Sequence, residues 1–205
     1  FTVATDDSEI TSTLRNASFG NNRRFADSAE GLILNDDGPA GVRYLLIGKS
    51  TNLATPTGQV SFVRRYTTDG AAVDGWATLM TNGFGFVATG FCRAPDGDVL
   101  STRFGTGLGP VRMSASGAVL DGDFGGPIGN DESCAFDLQG NVWVGEAGPT
   151  SASTFSLYYM AGDGRLLETL QVPVGERGPD WIELDSDQCT LYYTSEDTDV
   201  RRYDV

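Results

Sequence analysis

The residues best suited to chemistry in this chain are oxygen donors. The stretch Asp121-Gly122-Asp123-Phe124-Gly125-Gly126-Pro127-Ile128-Gly129-Asn130-Asp131-Glu132 has carboxylates at its first, third and twelfth positions, Gly at its sixth and Ile at its eighth. That is the pattern of a calcium-binding helix–loop–helix loop. Its fifth residue is Gly, its seventh is Pro, and both flanks have the composition of strands. A helix-flanked site is therefore not expected. Hard cations need only clustered oxygens, so Asp121, Asp123 and Glu132 are candidate ligands for Ca2+ or another divalent cation. The competing account is a plain connection between two structural units. Asp185-Ser186-Asp187 and Glu196-Asp197-Thr198-Asp199 are acidic as well. There the expectation is a turn in which Asp caps local N–H groups. A net charge of −14 raises the local concentration of any divalent ion.

Arg177 stands close to Asp180. A guanidinium at that place suits a carboxylate or the hydroxyls of a small sugar-like ligand. Pairing with Glu176, Asp180 or another carboxylate is the structural alternative. Other chemistries are excluded. The chain has no histidine, which removes Ser-His-Asp and Cys-His catalysis and every zinc site that needs imidazole. No catalytic residue is assigned. Lys+Arg number 14 against 28 Asp+Glu, and a surface this acidic repels phosphate backbones, so nucleic acid is not an expected partner. No apolar run reaches the length of a membrane span. Asp-rich, Lys-poor composition points to a secreted, extracellular protein. A chain opening on Phe1 reads as a processed product or a cut piece, from which a signal peptide is no longer legible. Asn16-Ala17-Ser18 is a glycosylation triplet. The three cysteines, Cys92, Cys134 and Cys189, cannot all pair within one chain. Buried thiols are expected, with one pair plus a free thiol as the alternative.

The elements that must position these residues are legible as repeats. Tyr66-Thr67-Thr68-Asp69-Gly70, Met113-Ser114-Ala115-Ser116-Gly117 and Met160-Ala161-Gly162-Asp163-Gly164 place their glycines 47 residues apart. Ala94-Pro95-Asp96-Gly97-Asp98-Val99-Leu100 and Phe136-Asp137-Leu138-Gln139-Gly140-Asn141-Val142 repeat at 43. Leu184 to Leu191 is a third copy of that turn with a slightly longer loop. The runs between turns are rich in Val, Tyr, Phe, Trp and Thr, the mark of strands joined by hairpins. No window sustains helical apolar spacing. The class is all-β. Units of this length holding four short antiparallel strands are the blades of a β-propeller. They fall at about 26–80, 82–125, 126–172 and 173–205, after an arm over 1–25. Ser50–Gly58 reads as a surface loop. Trp143 and Trp181 are expected in the packing between blades, with stacking on a sugar as the alternative, and Trp76 in a less regular, more exposed region. Cys92 and Cys134 occupy matched positions one blade apart, as small core residues would.

Val63-Arg64-Arg65-Tyr66 matches Val200-Arg201-Arg202-Tyr203. The match places the end of the chain before the last turn of the fourth unit, which therefore lacks its own outer strand. Such an edge exposes unpaired N–H and C=O groups and invites another strand. Phe1-Thr2-Val3-Ala4-Thr5 is the candidate filler, within one chain or between copies. Further blades of a longer protein would fill the place equally.

From Gly126 onward the sequence also resembles a known family. Asn130-Asp131, Ala135-Phe136-Asp137-Leu138-Gln139-Gly140-Asn141-Val142-Trp143-Val144-Gly145, Gly178-Pro179-Asp180-Trp181 and Thr190-Leu191-Tyr192-Tyr193-Thr194 look like the SMP-30/gluconolactonase family and its NHL-like propeller relatives. Glu30-Gly31 echoes that family's first-blade acidic motif. The resemblance implies a six-bladed propeller with a divalent metal at the top of its channel and a sugar-lactone substrate. It places a metal-ligating Glu at Glu30 and a substrate-facing pair at Asn130 and Asp131. Where the family has an Asn ligand this chain has Arg177, and a guanidinium cannot ligate a cation. The family's Asp ligand belongs to a later blade that this chain lacks. Two functions follow as expectations. One is a non-enzymatic extracellular propeller that binds a ligand or assembles with copies of itself by strand addition. The other is a metal-dependent lactonase with Glu30, Asn130 and Asp180 near the metal, whose metal-hydroxide chemistry needs no histidine.

Overall fold

The structure is a computed structural model that describes residues 29–34, 44–51, 60–67, 70–80, 87–104, 107–148, 154–175, 177–195 and 197–205. Phe1–Thr5, Asn16, Glu196 and most of the Ser50–Gly58 loop lie outside them.

The described residues are all strands, turns and loops, in four antiparallel sheets. The first sheet holds β1 (Ala29–Leu34), β2 (Tyr44–Thr51), β3 (Val60–Thr67) and β4 (Ala72–Met80) in that order. The second holds β5 (Val87–Arg93), β6 (Val99–Phe104), β7 (Val111–Met113) and β8 (Val119–Asp121). The third holds β9 (Asn130–Phe136), β10 (Val142–Ala147), β11 (Thr154–Met160) and β12 (Leu166–Pro173). The fourth has three strands, β13 (Trp181–Leu184), β14 (Thr190–Thr194) and β15 (Arg201–Asp204). Each sheet is a meander, as hairpin turns between short β-branched and aromatic runs require.

The repeated turns set the register. Gly70, Gly117 and Gly164 take φ of 91°, 88° and 86°, and Gly97 and Gly140 take 93° and 86°. Each closes its turn through a pair of backbone bonds, as where Asp137 N donates to Asn141 O and Gly140 N to Asp137 O. In the third copy of that turn Gln188 occupies the left-handed region, with φ of 59°. It carries the same kind of bond, from its N–H to Asp185 O at 2.9 Å.

Period-2 alternation then assigns faces. One face of the third sheet presents Cys134, Val142, Val144 and Met160 to Cys92, Leu100, Phe124 and Ile128 of the second sheet and the segment that follows it. The other presents Trp143, Leu157 and Val172 to Ile182, Leu184, Leu191 and Tyr193 of the fourth. Trp143 stacks on Tyr159 with ring centroids 4.4 Å apart. Along the array the first strands pack in succession, β1 on β5, β5 on β9 and β9 on β13, while β13 makes no contact of that extent with β1.

Two expectations need correction. Cys92 and Cys134 are not buried thiols but a disulfide with Cα atoms 5.7 Å apart. The successive packing of β5 and β9 brings matched positions to the spacing a disulfide needs. Cys189 is the free thiol, and it is exposed. Trp181 does not pack between sheets: it is 43% exposed. Ile182 and Leu184 take the face of β13 toward the third sheet, so alternation turns Trp181 to the opposite face.

Two measurements check this account. A Cβ on Gly140 would meet no atom within 4 Å, so Gly140→Ala isolates backbone strain. Its unfolding free energy should fall by about 1 kcal/mol, read from a denaturant midpoint at unchanged slope. The Cys92–Cys134 bridge spans 42 residues, and replacing both cysteines with Ala should cost about 2–4 kcal/mol. A thermal midpoint indifferent to both changes would contradict the assigned register and bridge.

Candidate functional site

In the second, third and fourth sheets the first two strands meet in a tight turn, and in the first three sheets the last two strands do, so those turns share one end of the array. The connections that enter the first strands, 122–129 into β9 and 174–180 into β13, lie at the other end. The polar candidates collect around β9. Neighbouring residues on a strand point to opposite faces, and this separates Asp131 from Glu132.

Asp131 faces the second sheet and is 0% exposed. Its Oδ2 accepts the Arg103 backbone N–H at 3.0 Å. Its Oδ1 is buried with no hydrogen-bond partner among the described residues. Burial pushes its carboxyl up to about 7, against the opposing pull of the Arg103 N–H and guanidinium. Arg103, on β6, is itself only 1% exposed. Its Nη2 donates to Gly122 O at 2.7 Å and lies 3.9 Å from Asp123 Oδ1. Burial lowers the affinity of this guanidinium for its proton, and Asp131, Asp123 and Asp121 oppose the shift. Around the pair, Thr89 Oγ1 donates to Asp131 O at 2.9 Å and Thr102 Oγ1 to Glu132 O at 3.0 Å. This cluster ties β5 and β6 to β9 through polar contacts beside the disulfide.

Glu132 faces the other way. Its Oε1 lies 3.4 Å from Arg177 Nη2, and Arg177 Nε donates to Gly148 O at 3.4 Å. Arg177 thus pairs with a carboxylate of the preceding sheet. Asp180 donates its N–H to Thr194 O at 3.1 Å, and both its carboxylate oxygens are buried with no hydrogen-bond partner among the described residues. The 174–180 connection lies directly against β10: a Cβ on Gly178 would collide with Glu146 O and the Ala147 Cα. Ser133 Oγ donates to Pro179 O at 2.8 Å and Ser195 Oγ to Arg177 O at 2.6 Å, both from buried residues.

The proposed cation ligands are not brought together. Asp121 Oδ1 accepts the Asp123 N–H at 2.8 Å, Asp123 Oδ1 accepts the Gly109 N–H at 2.7 Å, and Glu132 turns to Arg177. Glu30 lies in β1, in the first sheet. Among the described residues no group of three or more His, Cys, Asp or Glu is placed to hold a metal ion. Asn130 is half-buried at the start of β9, paired across to Ala147. It and Asp131 therefore share a strand but not a face, and Asp131 is spent on the second sheet. The acidic turns behave as capping groups. Asp187 accepts from Cys189 N, Thr190 N and Thr190 Oγ1 at 2.8, 2.8 and 2.7 Å. The bond from Cys189 leads the forces that hold its carboxyl below the ordinary range. Asp197 accepts from Arg201 at 2.5 Å and from the Asp199 N–H at 3.0 Å.

Arg103 escapes a reading for motifs, because its signal is only a charge inside the strand Val99–Phe104. What the arrangement offers chemically is a buried carboxylate that titrates near neutrality beside a buried cation. It offers no assembled cation cage. No protein-family model matches the chain, and no curated protein matches its sequence.

The Asp131 shift has a definite sign. A carboxyl whose folded value is raised binds its proton more tightly when folded, so its contribution to stability is full below its unfolded value of 3.8 and declines as pH rises to about 7. Asp131→Asn keeps an acceptor for the Arg103 N–H and removes the titration. Between pH 4 and pH 7 the stability of the variant should therefore gain on that of the parent by at least about 2 kcal/mol. Parallel stability curves for the two proteins would show that Asp131 keeps an ordinary carboxyl in the fold.

Proposed function

We propose that the four sheets are blades of a β-propeller, and that the protein is a non-enzymatic extracellular module for binding and self-assembly whose fourth blade takes its outer strand from another copy. The observation that carries this reading is the three-stranded fourth sheet, since the other three sheets each have four strands. Val205 N donates to Cys189 O at 2.8 Å. Antiparallel pairs alternate between bonded and open positions, so Arg201 and Tyr203 turn their backbone groups to β14. Arg202 and Asp204 turn theirs to the open edge. A strand laid there would find donors and acceptors in the spacing it needs.

Phe1-Thr2-Val3-Ala4-Thr5 has the β-branched and aromatic composition of a strand, and it is the segment we assign to that edge. The succession of first strands supports the blade reading, because blades meet through their inner strands around an axis. The Cys92–Cys134 bridge suits an oxidising compartment. The non-enzymatic reading rests on the roles of the polar groups: Arg103, Asp131, Glu132 and Arg177 are held in contacts between sheets.

Sedimentation velocity over a concentration series tests the reading. The chain should associate as concentration rises, and deletion of Phe1–Ile10 should return it to monomer. Asp204→Pro removes an outward N–H without touching the bonds to β14, and should weaken association in the same way. A chain that stays monomeric at every concentration, or whose association ignores both changes, would rule out strand addition.

A further inference from the structure

One joint in the array carries a covalent tie that the next joint does without. The third and fourth sheets meet through an apolar cluster that includes Trp143, Leu157, Ile182 and Leu191. Their polar contacts are Glu132 with Arg177, Ser133 Oγ with Pro179 O and Leu138 N with Gln188 Oε1. A joint of this array therefore closes on packing and hydrogen bonds. The second and third sheets have the same means of closure. Leu100, Phe124, Val144 and Met160 pack together between them. Thr89 Oγ1 donates to Asp131 O at 2.9 Å, Thr102 Oγ1 to Glu132 O at 3.0 Å and the Arg103 N–H to Asp131 Oδ2 at 3.0 Å. Arg112 Nη1 donates to Gly162 O at the turn end. Gly90 lets β5 lie close against β9: a Cβ there would stand 2.7 Å from Glu132 O. The Cys92–Cys134 bridge is added to a joint that is already complete.

The bridge is shielded by that joint. Cys92 is 7% exposed and Cys134 8%. Thiol–disulfide exchange requires a thiolate to reach one of the two sulfurs, so a reductant gains access only as the second sheet moves from the third. The reduced pair has a place to rest. Leu100 O lies 3.8 Å from Cys134 Sγ, within reach of an S–H donor, and a free cysteine packs in a core as a small apolar residue. Cys189 stands apart, an exposed thiol in the turn between β13 and β14.

We infer that Cys92–Cys134 is a redox latch: bridged, it holds the second sheet against the third, and opened by a low-molecular-weight thiol it leaves the fold standing while the two sheets part transiently. A reductant thiolate attacks one sulfur, the S–S bond breaks, and the other cysteine leaves as a thiolate that takes up a proton. A second reductant thiolate attacks the mixed disulfide and releases the first cysteine, which is protonated in turn. The chain gains two electrons and two protons, and the reductant departs as its own disulfide. A cross-link acts by restricting the separated states of the residues it joins. Its loss therefore frees the open joint and leaves the contacts of the closed one unchanged. The latch stands whether or not copies of the chain associate.

Thiol labelling tests it, in a background of Cys189→Ser. The reduced chain should keep the sheet circular-dichroism spectrum of the bridged one. Its Cys92 and Cys134 thiols should react with a maleimide at least about tenfold faster than the chain unfolds globally, the mark of local opening. In a glutathione redox buffer the unlabelled pair should close again to the bridged form. Arg112→Met, which removes the contact with Gly162 O, should speed labelling of the reduced chain about tenfold. Loss of the sheet spectrum on reduction would make the bridge a staple without which the fold fails. Labelling no faster than global unfolding would mean a joint that never opens by itself. Either result overturns the inference, as does a pair that fails to close again or an Arg112→Met chain that labels at the parent rate.

Discussion

A twisted antiparallel sheet buries a face only against another layer, and a sheet with neighbours on both sides must be apolar on both. The third sheet meets that demand. Along β10, Val142, Trp143 and Val144 are buried in turn, the first and third toward the second sheet and the middle one toward the fourth. The fourth sheet meets half of it. β13 alternates exposed and buried, with Ile182 and Leu184 inward and Trp181 and Glu183 outward. Among the described residues the third sheet is thus packed on both faces and the fourth on one.

Polar and covalent contacts reinforce the joints that burial makes. Between the second and third sheets, a disulfide, the Arg103–Asp131 contact and the Arg112 bond to Gly162 act at three levels of the same joint. Between the third and fourth, Arg177–Glu132 and the Ser133–Pro179 bond act at one end, and Leu138 N to Gln188 Oε1 at the other. A buried pair such as Arg103 and Asp131 is costly to desolvate, and burial is the largest cause of the rise in the Asp131 carboxyl. Such groups hold register between sheets, and Asp131, Glu132 and Arg177 are used in that way.

Features set by local rules are the most legible in the sequence. The glycines at 47- and 43-residue spacing took left-handed φ in matching turns. The described strands form four antiparallel sheets, the fourth of three strands. The acidic turns of Asp185–Asp187 and Asp197–Asp199 cap their own N–H groups, as short polar side chains in tight turns do. A residue whose partner lies in another sheet is the least legible. Asp121, Asp123 and Glu132 look like a ligand set only while their directions are unknown. Strand alternation at β9 and the demands of Gly109 and Arg177 send them apart.

The all-β class, the turn positions and the repeat length are legible from neighbouring residues, because hairpin chemistry and period-2 alternation act over a few residues. The meeting of Cys92 with Cys134, the burial of Arg103 against Asp131 and the outward turn of Trp181 come from packing between sheets. Each of those depends on which face of one sheet meets which face of the next. Neighbouring sheets are brought together by packing across some forty residues of chain, and no local rule reaches that far.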